Sequence, residues 1–190
     1  MTKLVFRYGN MNSAKTANLL MAAFSHTSNG KNILLMKPSI DERFDVSKIV
    51  SRIVPSMEAN HLIKPDEKDF IHLIYEKHIV AVYVDEAQFL SIENVNGLRN
   101  LSLILPVYCY GLKTDYKSHL FVGSKRLLEI ADTIEEVKTK CVQCGINKAI
   151  INAKYYMRQS DKVIVKEGSD DIELGAEEKY ISLCWKCWLK

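Results

Sequence analysis

The chain has 190 residues, 47% of them hydrophobic, enough for one domain with a real core and a small appendage but cramped for two full domains. Its 26 Lys and Arg against 23 Asp and Glu leave a formal charge of +3 with no clustered basic stretch, which argues against a nucleic-acid partner. No run approaches the roughly 18 apolar residues of a membrane span, and Met1-Thr2-Lys3 leads directly into a strand pattern rather than a leader, so the expected location is cytoplasmic, with no membrane partner.

The first element is the apolar run Leu4-Val5-Phe6. It is followed by Gly9-Asn10-Met11-Asn12-Ser13-Ala14-Lys15-Thr16 and then by a helix-like stretch from Ala17 to Phe24. Strand, loop and helix in this order match a phosphate-binding loop, G-x-x-x-x-G-K-[ST]. There, successive backbone N–H groups wrap a phosphate, the lysine reaches the outer phosphates and the hydroxyl binds Mg2+. One element departs: Ala14 stands where the pattern has glycine. If the loop alternates right- and left-handed residues, Ala14 has positive φ at a cost of about 1 kcal/mol relative to glycine. In the helix that follows, Ala17, Leu20, Met21 and Phe24 fall at i, i+3, i+4 and i+7 and are expected to face the sheet.

Ile33 to Met36 reads as a second strand. Pro65-Asp66 marks a helix start before Phe70, Ile71 and Ile74. Ile79 to Val84 is a third strand, Ile92, Val95 and Leu98 after Ser91 a further helix face, and Val107 to Tyr110 a fourth strand. Strands alternating with helices predict an α/β fold with a parallel sheet covered on both faces.

The third strand ends in Val84-Asp85-Glu86-Ala87-Gln88-Phe89. A carboxylate at the end of a buried strand beside a phosphate loop helps hold Mg2+, which assigns that post to Asp85. Successive strand residues alternate faces, so Glu86 is expected to point elsewhere and to serve as a base over the acceptor.

Near residue 139 the character changes. Residues 1–139 read as the nucleotide-binding domain and 140–190 as a small lobe with two C-x-x-C pairs, Cys141/Cys144 and Cys184/Cys187. Two such knuckles complete a tetrahedral Zn2+ shell, structural because four thiolates leave no open position. Between them lie β-prone runs at Ala149 to Met157, Lys162 to Val165 and Tyr180 to Leu183, and a Gly/Asp/Glu-rich loop. Cys109, within an apolar strand, reads as core. The five histidines share no ligand spacing, and Trp185 and Trp188 read as packing on the small lobe.

Together these residues resemble the zinc-containing, P-loop type of thymidine kinase. The likeness runs from Met11 in the loop through Asp41-Glu42-Arg43-Phe44, Ser51-Arg52-Ile53 and Val84 to Phe89. It continues in Tyr110-Gly111-Leu112-Lys113-Thr114-Asp115-Tyr116, Leu120 to Ser124, Leu127-Leu128, both cysteine pairs and Lys179-Tyr180. The resemblance implies transfer of the ATP γ-phosphate to the 5'-hydroxyl of thymidine, with Glu86 as base and Lys15 and Arg43 beside the transferred group. Gly9 to Thr16, Asp85 and Gln88 would form the nucleotide and Mg2+ side. Met11, Leu112, Tyr116, Phe121 and Tyr180 would line the nucleoside pocket, closed by a loop at Asp171, Ile172, Glu173, Leu174 and Gly175, with Lys154 matching a basic family position. It also implies a homotetramer. Where the family continues after Tyr116 with arginine and glycine, this chain has Lys117-Ser118-His119. Two other readings remain at this stage: a nucleotide-binding regulator weakened by Ala14, and a zinc-ribbon nucleic-acid-binding protein, which the low net charge and acidic Asp170 to Glu178 disfavour.

Overall fold

A computed structural model describes residues 2–41, 47–75, 78–159, 161–165 and 179–190. In chain order its elements are β1 (Leu4–Gly9), α1 (Lys15–Thr27), β2 (Asn32–Pro38), the short strands β3 (Lys48–Ile49) and β4 (Met57–Glu58), β5 (His61–Ile63), α2 (His72–Tyr75) and β6 (Ile79–Val84). A 3-10 turn at Ala87–Phe89 leads to α3 (Ile92–Leu101), β7 (Val107–Gly111), α4 (Val122–Ile130) and β8 (Thr133–Val137). The small lobe holds β9 (Ile151–Arg158), β10 (Asp161–Val165), β11 (Tyr180–Leu183) and α5 (Trp185–Leu189).

Six strands form one parallel sheet in the order β5-β2-β6-β7-β1-β8. Strand alternation gives it two apolar faces. Leu4, Phe6, Leu34, Met36, Val82 and Val84 meet Val95, Leu98 and Leu101 of α3 and Leu127 of α4. Ile33, Leu35, Ala81 and Tyr83 point the other way, onto Leu19, Leu20 and Ala23 of α1. Each fully buried side chain of this kind contributes roughly 1.5–3 kcal/mol, so the two faces supply most of the driving force. The α/β sheet with helices on both faces matches the pattern of the sequence. Cys109 is fully buried in the first of these clusters, as its apolar neighbours indicated.

Two readings need correction. On α1 Ala17 and Leu20 are buried as expected, together with Leu19 and Ala23, whereas Met21 and Phe24 are 51% and 65% exposed. The residue at i+1 from Leu19, not the one at i+4 from Ala17, centres the face. The helix expected from Pro65 begins only at His72. Asn94 of α3 donates its side-chain amide to the Lys64 and Glu67 carbonyls, the latter at 2.5 Å, so these carbonyls are held by another element. The Asp69 carboxylate then accepts from the Ile71 N–H, just ahead of α2. Sequence patterning also missed β5, α4 and β8. Strand β8 is half-exposed at the sheet edge, where Glu135 pairs with Arg7 and Glu136 with Lys148, charges that suit an edge but mask a strand signal.

Helix α3 starts as its sequence predicts. Ser91 accepts from the Asn94 N–H at 3.1 Å and Asn94 accepts from the Ser91 N–H at 2.9 Å, a reciprocal cap.

The small lobe is a three-stranded antiparallel sheet, β10-β9-β11, with Tyr180 opposite Lys154 and Leu183 opposite Ile151. Its core gathers Ile151, Ala153 and Leu183 with Cys141, Cys184 and Cys187, and Trp188 packs against it. Trp185 is half-exposed and tilts against Trp188 at 4.9 Å between rings. Among the described residues no helix is long and apolar enough to cross a membrane.

Helix α4 approaches the turn after β6 so closely that only glycine fits at its second residue. A Cβ on Gly123 would lie 2.6 Å from the Ala87 carbonyl oxygen and 2.7 Å from that of Leu90. Gly123→Ala should therefore lower stability by about 1–3 kcal/mol, read as a reduced denaturation midpoint with unchanged denaturant dependence.

Candidate active site

Every strand of the central sheet points its carboxyl end to one edge, and the loops after β1, β6 and β7 leave from there. Gly9 ends β1 where a Cβ would lie 2.5 Å from Ser13 Oγ and 2.6 Å from the Val137 carbonyl, so the loop folds back over a glycine by necessity. Asn12 (φ 60°) and Ala14 (φ 63°) are both left-handed, with Ser13 between them. This is the alternation that aims successive N–H groups into one hollow, and it puts alanine in the conformation the sequence predicted. Helix α1 begins at Lys15 with no side-chain cap, leaving its first amide groups toward the same hollow, where an anion is favoured. The Ser13 hydroxyl is buried there without a hydrogen-bond partner.

Lys15 is only 9% exposed, and its ammonium donates to the Asn10 carbonyl at 2.8 Å. Thr16 Oγ1 lies 3.4 Å from Asp85 Oδ1, so loop and strand end meet as the sequence reading required. Asp85 is 6% exposed. Burial pushes its carboxyl up to about 7, and the charge of Glu86 adds to this, while the Thr16 hydrogen bond and Lys15 act in the opposite sense. A carboxylate so placed gains from a cation. With the Thr16 hydroxyl beside it, the donor set fits a hard divalent ion that takes oxygen ligands.

Glu86 is placed by a turn rather than by strand alternation, and its charge still acts on Asp85. Strand β6 ends at Val84, and Glu86 sits in the turn beyond it with φ 51°, left-handed. Its carboxylate accepts from the Gln88 side-chain amide. Gln88 is buried, and its Oε1 accepts from the Leu112 N–H at 2.9 Å. A Cβ on Gly111 would come within 2.7 Å of that oxygen, so the glycine lets Gln88 lie against the end of β7. Gln88 thus reaches the site through Glu86 rather than on the wall of the loop cleft.

The cleft itself holds about 300 Å3. It is lined by loop residues from Met11 to Ala17, by Glu86 and Leu112, and by Val50 to Ile53 opposite. Arg52 on that opposite wall was quoted in the sequence only as part of a motif. A cation facing a phosphate loop is the signal that could have singled it out.

Of the residues expected to hold a nucleoside, Met11 and Leu112 are on the cleft wall. Tyr180, on β11 of the small lobe, and Tyr116, after β7, are both buried; Lys154 pairs with Tyr180 across β9 and β11 and its ammonium lies 5.5 Å from the Tyr116 ring. Phe121 precedes α4 and meets Phe89 edge-on at 5.8 Å. After Tyr116, Ser118 takes φ 70°, a left-handed conformation that favours glycine. Asp115 secures the turn by accepting from the Lys117 and His119 N–H groups at 2.9 and 2.8 Å. Arg43 and Asp171 to Gly175 lie outside the described residues.

In the small lobe the four sulfurs of Cys141, Cys144, Cys184 and Cys187 lie within 4.8 Å of one another, and Cys144 and Cys184 are 4.0 Å apart. Tetrahedral thiolate coordination at about 2.3 Å from a metal sets sulfurs roughly 3.8 Å apart, so the cluster can hold a metal ion. Hydrogen bonds from the Asn147 and Ile146 backbone pull the Cys144 thiol below its usual value, and one from the Cys187 backbone does the same for Cys184. Gly145, with φ 65° and its N–H donating to the Cys141 carbonyl at 2.8 Å, makes the first knuckle tight.

Comparison with known proteins agrees with this geometry. The family model described as thymidine kinase matches residues 2–188. The thymidine kinase of Enterobacteria phage T4 is 43% identical over 194 aligned positions, covering 99% of this chain and 96% of the relative. That of Haemophilus influenzae (strain Rd) is 40% identical, over 97% and 94% of the two chains. That of Agrobacterium fabrum is 37% identical, over 100% and 97%.

The left-handed alanine yields a ligand-independent prediction. Relieving the αL cost of roughly 1–2 kcal/mol while loosening the unfolded chain by about 0.4–1 leaves a net gain near 0.5–1 kcal/mol for Ala14→Gly. Chemical denaturation of the nucleotide-free protein should show that small stabilisation, whereas a loss of stability would mean that Ala14 is not left-handed in solution.

Proposed function

The chain belongs to the thymidine kinase family, and on that premise we propose that it transfers the γ-phosphate of ATP to the 5'-hydroxyl of thymidine, giving dTMP. The observation that supports this reading is the meeting of Thr16 with Asp85 beneath a left-handed loop, with Glu86 one residue further, held by Gln88 and lining the same cleft. A nucleotide-binding site needs the first pair. An acceptor hydroxyl needs the second carboxylate.

In this reading the loop amides from Met11 to Thr16 cradle the phosphates. Lys15 exchanges the Asn10 carbonyl for a γ-phosphate oxygen and follows it into the transition state, in which catalysis is chiefly positioning and charge stabilisation. Thr16 and Asp85 are the residues that would hold Mg2+, which when bound offsets charge on the phosphate oxygens. Glu86 accepts the proton of the 5'-hydroxyl. The Gln88 amide donates to its carboxylate and so fixes where that carboxylate points, while Leu112 holds Gln88 from behind. Arg43 is proposed to stand near the transferred group, and Asp171 to Gly175 to close over the base, both by family likeness.

The cysteine cluster is proposed to bind one structural Zn2+, because four thiolates form a closed shell. Residues 1–139 and 140–190 are taken as the nucleotide domain and the zinc lobe. A cytoplasmic homotetramer is proposed on family likeness alone. The reading of the chain as a weakened regulator loses its motive, since Ala14 takes up the loop conformation that glycine would.

Incubation with ATP, Mg2+ and each of four deoxynucleosides tests the assignment. Thymidine should be strongly preferred over deoxycytidine, because a pocket paired to the thymine edge leaves buried groups unpaired against the amino-substituted ring. Equal kcat/KM for the two would overturn it. Glu86→Gln should lower kcat by about a hundredfold or more while leaving nucleotide and thymidine affinities nearly intact, as single-turnover rates and equilibrium binding would report.

A further inference from the structure

The backbone of Met11 is gripped from the small lobe on both sides. Its N–H donates to Asn152 Oδ1 at 2.8 Å, and its carbonyl accepts from Ser182 Oγ at 2.8 Å, partners more than 140 residues away in sequence. Asn152 lies on β9 and Ser182 directly opposite on β11, and both are buried. Next to them, the Asn10 side-chain amide donates to the Ile151 carbonyl at 3.1 Å. The Asn10–Met11 segment of the phosphate loop is therefore fastened to the small lobe at three points.

The chemistry of Asn152 is specific. Its Oδ1 accepts from Met11 while its Nδ2 donates to the Thr114 carbonyl at 3.1 Å. The amide offers an acceptor and a donor on separate atoms, which an ionised carboxylate or an aliphatic group cannot. Asn152 thereby ties the loop after β1 to the loop after β7 and to the lobe. Upstream, the Asn10 carbonyl receives both the Lys15 ammonium at 2.8 Å and the Ser13 N–H at 3.2 Å. A shift of the Asn10–Met11 peptide would move the point from which Lys15 and the loop amides are aimed.

We propose that Asn152 and Ser182 are positioning residues for the phosphate loop, so that the small lobe sets the affinity for the nucleotide's phosphates as well as serving the nucleoside side. This rests on the reading of the loop as the nucleotide site. Loop amides bind phosphate only when their N–H vectors converge, and a short loop with two left-handed non-glycine residues has little intrinsic reason to hold that shape unaided.

The test is ADP affinity, measured by calorimetry on full-length wild type, Asn152→Leu, Ser182→Ala and Ser182→Thr. ADP binding should weaken about tenfold in Asn152→Leu, which leaves the Met11 N–H and the Thr114 carbonyl without their partner, and severalfold in Ser182→Ala. Ser182→Thr keeps the hydroxyl and should bind as wild type. Hydrogen exchange should separate positioning from general destabilisation, since the Met11 amide should exchange faster in Asn152→Leu while β9 amides keep wild-type rates. ADP affinities within twofold of wild type in both Asn152→Leu and Ser182→Ala would overturn the inference, and if Asn152→Leu does not fold, the Ser182→Ala and Ser182→Thr pair decides it. Wild type that binds no ADP would instead remove the nucleotide reading, and the inference with it.

Discussion

Parallel pairing of β1, β7 and β6 is the constraint from which the site follows. In a parallel sheet all carboxyl ends share an edge, and here Tyr8 pairs with Gly111 and Val84 with Cys109, so the three chain exits lie in adjacent rows. The phosphate loop, the Asp85-Glu86 turn and the Leu112 to Tyr116 segment are brought to one edge by that register, and hydrogen bonds through Thr16, Gln88 and Asn152 join them there. Each exit must turn sharply to stay over the edge. Asn12, Ala14, Glu86 and Ser118 accordingly adopt left-handed backbone without being glycine, a cost accepted around the site and largely avoided in the core.

Opposite charges are buried close together at this edge: Lys15 donates to the Asn10 carbonyl, Asp85 accepts from the Thr16 hydroxyl, and the Lys15 charge acts on Asp85. Burial raises the Asp85 carboxyl, a penalty that a nearby cation removes. Beyond the cleft, Lys37 at the end of β2 pairs with Asp41 at 3.5 Å and donates to the Lys48 carbonyl at 3.2 Å. These contacts tie the end of β2 to β3.

The small lobe is built on different physics from the large one. Its apolar core is modest and incorporates three of the four clustered cysteines around the central strand β9, so a metal held by that cluster would add to its stability. Strands β9 and β11 are also the lobe's contacts with the loop, through Ile151 and Asn152 on one and Ser182 on the other. The cysteine cluster and the loop geometry are therefore linked through these two paired strands.

Local pattern alone determined much of this protein. The strand, loop and helix at the N-terminus, the carboxylate after the third strand and the two cysteine pairs are contiguous signals, because each rests on neighbours in the chain. The α/β class followed from the alternation of apolar runs. What sequence could not decide depends on partners distant along the chain. The buried stripe of α1 turned on which residues met the sheet, leaving Met21 and Phe24 outside. The late start of α2 was set by Asn94 taking the Lys64 and Glu67 carbonyls. Glu86 is aimed by a left-handed turn and a buried glutamine, not by strand alternation. Asn152 and Ser182 carry no motif at all; two polar residues on paired strands meet the loop only when folding places Met11 between them, since a hydrogen bond depends on position in space and leaves no periodic trace in sequence.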